Sequence, residues 1–196
     1  MKNGFTLIEI MVAISIFAIV ATVATGALVT ASDVNRKAQA IKLATDNVNF
    51  AMDSMILNLR DGTKYDCLPN AGALAPVHFS NVGTLNSCTG GGEGIVFLSR
   101  RGSNSGGPDR YIVYRFNKDP ITNLGRIQIA YSDSPTYTDI TSPEVDIKSA
   151  SCYVPSPGSS TETPPRVERV VIVVSARVPG KTDTNFFLQT SVKSNF

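Results

Sequence analysis

GFTLIEIMVAISIFAIVATVATGALV, residues 4–29, carries one charged side chain, Glu9, in an otherwise apolar or hydroxyl-bearing run. At about 1.5 Å of rise per residue, a helix over Phe5 to Val29 is long enough to cross a hydrocarbon core of roughly 30 Å. A carboxylate near one end of such a helix costs on the order of a few kcal/mol in lipid, so Glu9 reads as a functional group awaiting a cation. Lys2 is the only basic residue ahead of it and marks the cytoplasmic side.

Gly4-Phe5-Thr6-Leu7-Ile8-Glu9, behind a short leader containing Lys2 and ahead of an unbroken apolar helix, resembles the class III signal of type IV pilins and type II secretion pseudopilins. The motif match covers roughly Lys2 to Val29. The resemblance implies that a prepilin peptidase cuts between Gly4 and Phe5 and methylates the new amino terminus of Phe5. It further implies that Glu9, next to Thr6 in the same signal, pairs with the terminal amine of an adjacent subunit during assembly. An ordinary secretory signal peptide is the first alternative, with Ala21, Ala24 and Ala27 mimicking its cleavage site. Its apolar core of about 7–15 residues is shorter than this run, and it leaves Glu9 unexplained. A plain single-span anchor is the second, and it leaves both Gly4 and Glu9 without a role.

With 196 residues the chain has room for a membrane helix and one domain of ordinary size. A net charge of +2 supplies no electrostatic argument for nucleic acid. The expected division is a leader over 1–4, an assembly and membrane helix over 5–29, an amphipathic helix over 30–61 and a sheet-bearing head over 62–196. In the second helical part Val34, Ala38, Ile41, Ala44, Val48, Met52, Met55 and Leu59 recur at steps of three and four, the spacing of one apolar face. Gly62 is a natural stop, so the whole helix would measure about 85 Å. Gly26 is its weakest point, open to two readings: a bend, as the family resemblance implies for assembled filaments, or close helix packing through small residues.

From Tyr65 to Glu93 the composition is that of a loop, and Gly90 to Gly94 reads as a turn. Strands are expected at Ile95–Leu98, Tyr111–Phe116, Arg126–Tyr131, from Val145 toward Tyr153, at Val167–Val178 with burial on both faces, and at Phe186–Val192. Short connections between them favour an antiparallel sheet, covered by the apolar helix face. The fold class is therefore α+β, a long N-terminal helix packed on an antiparallel β-sheet head, and the resemblance implies the same pilin-like architecture. Pro155 to Pro165 reads as an exposed loop.

Cys67, Cys88 and Cys152 lie beyond the apolar run, in a region expected to face an oxidising compartment. One bridge is possible, and Cys67 with Cys88 is favoured because both lie in loop-like sequence; closing that loop would stabilise by roughly 3 kcal/mol. Three free, buried thiols are the alternative. No motif of catalysis is present and no cofactor is implied; His78 has no neighbouring ligands, and pairs such as Asp133 with Asp139 or Glu144 with Asp146 lack the spacing of a calcium loop. Arg100, Arg101, Arg110 and Lys118, near Tyr111 and Tyr114, are the candidate contacts of a second reading, a membrane-anchored binding module that holds nucleic acid. The first reading is a structural, non-enzymatic filament subunit that loosely resembles minor subunits of the PilW and pseudopilin J groups. Its implied partners are other subunits, the prepilin peptidase, an inner-membrane assembly platform and lipid. Its implied location is the inner membrane, single-pass with a cytoplasmic N-terminus, and then an extracytoplasmic filament.

Overall fold

The computed structural model describes residues 4–70, 88–99, 110–132, 134–154 and 169–193. Helix α1 runs from Leu7 to Arg60, and the chain divides between Ala40 and Ile41 into two compact units. In the N-terminal unit the helix passes through Gly26 uninterrupted, and a Cβ placed there would meet nothing.

In the second unit the helix buries one face, formed by Ala44, Val48, Ala51, Met52, Met55 and Leu59. This is the stripe that the three-and-four spacing predicts, with Ala51 added. It begins later than expected: Val34 is 62% exposed, and burial sets in only at Ala44. The helix ends where Tyr65, itself fully buried, brings its hydroxyl within hydrogen-bonding reach of Leu59 O and, at 2.8 Å, of Gly62 O. Late carbonyls of a helix lack partners within it, and this hydroxyl serves that of Leu59. Gly62 does mark the stop, but for a different reason from a left-handed cap. A Cβ there would come within 2.5 Å of the Phe97 ring, so the chain needs the missing side chain to enter the sheet.

Nine strands follow among the described residues. β1 (Gly62–Leu68), β3 (Gly94–Ser99), β4 (Arg110–Lys118), β5 (Gly125–Tyr131) and β6 (Ser134–Asp139) form one sheet in the order β1-β3-β4-β5-β6. β2 (Cys88–Gly92), β7 (Asp146–Val154), β8 (Arg169–Arg177) and β9 (Phe186–Lys193) form a second, in the order β2-β7-β8-β9. All pairings among the described residues are antiparallel. The single sheet expected from the sequence is therefore two.

Three strands lie where no strand was expected. β1 falls partly in the assumed loop and carries a bulge between Thr63 and Asp66, where Lys64 takes φ 55°. β6 is short and contains Ser-Pro. β2 is the glycine run read as a turn, and the strand forms because its glycines seat bulky neighbours. Gly91, at φ 88°, lies under the Tyr153 ring, and a Cβ on Gly92 would overlap the sulfurs of Cys67 and Cys88. β8 differs from expectation in another way. Val170, Ile172, Val174 and Ala176 are buried while the residues between them are half-buried, so only one face meets the core.

The helix and both sheets meet around Met55, Tyr114, Ile127, Cys152 and Ile172. The Asn58 amide donates to the Tyr114 hydroxyl at 2.7 Å, fixing the helix on β4. Burial raises the Tyr114 phenol to about 12, so it stays protonated at any physiological pH.

A second joint connects the sheets at Asp146, 1% exposed. Its Oδ1 accepts the Gly125 N–H at 3.0 Å, and its Oδ2 accepts Arg177 Nε at 2.8 Å and lies 3.2 Å from Lys148 Nζ. Gly125 must be glycine, because a Cβ would collide with Ile147 O. Burial alone would raise the Asp146 carboxyl, but the Gly125 N–H, Arg177 and Lys148 outweigh it and hold it below its usual range. A folded value below the unfolded one, near 3.9, gives stability that is present above that pH and lost as pH falls through the folded value. Asp146→Asn should therefore lower unfolding stability at pH 7 by about 2 kcal/mol. Its thermal midpoint should also fall less steeply than that of the parent below about pH 4; parallel acid limbs in a melting series would contradict this joint.

Candidate functional site

Gly4, Phe5 and Thr6 precede α1 in non-helical conformation and are exposed. Thr6 is the N-cap. Its Oγ1 lies 3.4 Å from the Glu9 N–H, and its carbonyl accepts from Glu9 N at 3.1 Å and Ile10 N at 3.3 Å. Thr6-Leu-Ile-Glu9 has the spacing of a capping box, a signal present in the sequence that the expectation of an assembly role passed over. The arrangement places the Glu9 carboxylate in the first turn, where the helix dipole favours negative charge. Among the described residues none forms an ion pair with it.

Phe5, ahead of the helix, is 81% exposed, and the following turns expose their large apolar side chains, Phe17 at 72% among them. Hydroxyls in this run are already satisfied. Ser15 donates to Met11 O, Thr22 to Ala18 O, Thr25 to Ala21 O and Thr30 to Gly26 O, at 2.6–3.0 Å. Such back-bonding removes the cost of placing a hydroxyl in an apolar medium, where water is absent. The helix is long and apolar enough to cross a membrane, and its most apolar window has no buried residue.

Of the arginines considered for nucleic acid, Arg100 and Arg101 lie outside the described residues, as do His78, Asp133 and Pro155 to Pro165. Arg110 is half-buried, with its guanidinium carbon 4.1 Å above the centre of the Tyr131 ring. Tyr114, expected beside this patch, instead lies in the core. Asp139 faces Arg126 and Gln128, and Asp146 forms the joint between the sheets. Among the described residues no group of three or more His, Cys, Asp or Glu side chains is placed to hold a metal.

Cys67 on β1 and Cys88 on β2 form a disulfide across 21 residues, with Cα atoms 5.7 Å apart. It links the edge strands of the two sheets, next to Gly92. Cys152 on β7 is free and buried, and burial pushes its thiol up to about 12. A thiolate is the reactive form, so Cys152 should resist iodoacetamide at pH 8 in the folded protein and react once the chain is unfolded in guanidinium. Peptide mass mapping without reduction should recover Cys67 bonded to Cys88; labelling of Cys152 at native pH as fast as a free peptide thiol would contradict its burial.

No curated protein and no solved structure matches the chain. Residues 1–25 match the family described as the prokaryotic N-terminal methylation motif. The match covers the segment whose geometry is given above: Gly4 and Phe5 before the helix, Thr6 at its cap, Glu9 in its first turn and the exposed apolar run behind. At its N-terminus, then, the chain carries the prepilin-type signal of type IV pilins and type II secretion pseudopilins.

Proposed function

We propose that this chain is a minor structural subunit of a type IV pilus or a type II secretion pseudopilus, processed by a prepilin peptidase and assembled through its N-terminal helix. The observation that carries the reading is the motif at residues 1–25 leading into a helix whose apolar side chains are exposed. On this reading residues 1–4 are a leader, 5–29 cross the inner membrane from a cytoplasmic N-terminus, 30–61 continue the helix and 62–196 form the extracytoplasmic head. Cleavage after Gly4 creates an amino group on Phe5, four residues from Glu9. The same amine on a neighbouring subunit is the cation that Glu9 lacks among the described residues, and pairing the two relieves a charge that lipid disfavours.

Packing of the apolar helices against one another drives the remainder, and inner-membrane platform proteins would receive the subunit. A further feature supports contacts along the helix. On the face opposite the buried stripe, Leu43, Phe50 and Leu57 recur at seven-residue intervals and are 58%, 76% and 56% exposed. A line with that repeat is suited to another helix. The role proposed here is structural.

Co-expression with a prepilin peptidase should yield a mature chain whose N-terminal sequence starts at Phe5 and whose intact mass is raised by one methyl group. An uncut chain starting at Met1 in the presence of active peptidase would favour a plain anchor. Glu9→Ala should insert and be cleaved at parental rates yet be incorporated into filaments about ten-fold less, read by immunoblot of sheared filaments; normal incorporation would count against the pairing with Phe5.

A further inference from the structure

The β4–β5 hairpin closes through a tightly bonded turn. Asp119 Oδ1 accepts the N–H groups of Ile121 and Thr122 at 2.8 and 3.0 Å. The Asp119 backbone accepts from Asn123 N and donates to Leu124 O, and Asn123 takes φ 57°. The backbone N–H groups of Thr122 and then Ile121, with a contribution from Arg126, hold the Asp119 carboxyl below its usual range. Beside the turn, the outer face of β4, β5 and β6 carries a chain of mutually fixed side chains. The Arg115 guanidinium lies 3.4 Å over the Tyr137 ring and donates from Nε to Gln128 Oε1 at 2.9 Å. Gln128 Nε2 donates to Asp139 Oδ1 at 2.7 Å, and Asp139 Oδ2 lies 3.5 Å from Arg126 Nε.

Between turn and chain is an open cleft of about 210 Å³, bordered by Asn117, Asp119, Ile121, Arg126, Gln128 and Asp139. This is room for a cluster of waters, or for one sugar ring. Two carboxylates against one guanidinium leave the lining net negative, which disfavours an anion. The lining combines donors from amides and a guanidinium with carboxylate acceptors, which suits hydroxyl groups, since each hydroxyl both donates and accepts. Ile121, 92% exposed, supplies one apolar edge for the C–H face of a ring.

We propose that this cleft is a monosaccharide subsite, in which neighbouring hydroxyls of one neutral sugar ring bridge the Asp119 carboxylate and the Arg126 guanidinium, with the Asn117 amide at its border as a further contact. Asp119, Arg126, Gln128 and Asp139 are held in place before a ligand arrives, so binding does not have to order them. Its small size and exposure set the affinity at about millimolar Kd. The subsite is independent of the filament reading and would give the head a glycan contact whichever assembly carries it.

The test is saturation-transfer difference NMR on the full chain in a zwitterionic, sugar-free detergent, with the methyl glycosides of glucose, galactose and mannose as probes. Saturation should reach at least one glycoside. Arg126→Ala and Asn117→Ala should each weaken that binding about ten-fold with thermal midpoints close to the parent's. Asn117 makes no contact within the fixed chain, so its variant separates loss of the ligand contact from loss of the fold. No transfer to any glycoside at tens of millimolar would overturn the proposal, as would transfer unchanged in both variants. Chemical-shift changes at Asp119 and Asp139 with calcium chloride, and none with the glycosides, would overturn it in favour of a cation.

Discussion

A single backbone hydrogen-bond ladder, that of α1, carries side chains suited to two different surroundings, and the rest of the structure depends on it. Toward its C-terminal end one face is dry, with Val48 and Leu59 fully buried, and the sheets close over it. Toward its N-terminal end the large apolar side chains are exposed and every described hydroxyl from Ser15 to Thr30 is folded back onto the helix's own carbonyls. A helix internalises all its backbone polar groups, so it is among the few structures that can pass from water to lipid without an unsatisfied donor. Thr6 provides for the first turn in the same way, and Tyr65 for the last through the Leu59 carbonyl.

The head is held by a few places where side chains are absent or buried polar groups are fully partnered. Gly62 lets the chain turn beneath Phe97, Gly92 makes space for the Cys67–Cys88 disulfide, and Gly125 lies against the backbone of Ile147. At each, a methyl group would displace backbone, a ring or sulfur in a close-packed interior, where little room exists to relax. Asp146 converts the last of these contacts into a joint by accepting the Gly125 N–H on one oxygen and Arg177 on the other. The two sheets are thus linked at one place by a covalent bond and at another by a buried carboxylate.

Much of the fold was legible in the sequence, because its signals are periodic and local. The helix from the apolar run to Arg60, its buried stripe and the strands around Ile112, Ile129 and Val192 follow from spacing of three and four or of two, which one segment displays without reference to any other. The prepilin-type signal is local too, since Gly4, Phe5, Thr6 and Glu9 stand within six consecutive positions. Even the Thr6 cap was written there, in the Thr-x-x-Glu spacing.

What the tertiary structure decided depends on contacts distant in the chain. Strands β1, β2 and β6 lack a periodic signal and exist because partners hold them: β3 sets the bulge at Lys64, and β7 pairs with a glycine run that alone would favour a turn. The division into two sheets, the place of Asp146 between them and the cleft beside Asp119 likewise come from pairings across the chain. By itself the sequence determined an apolar, signal-bearing helix and an antiparallel head, since repeat spacing dictates which face of an element is apolar. Only the folded chain decided which strands share a sheet and which polar side chains converge, because hydrogen-bond pairing and close packing are set by neighbours in space.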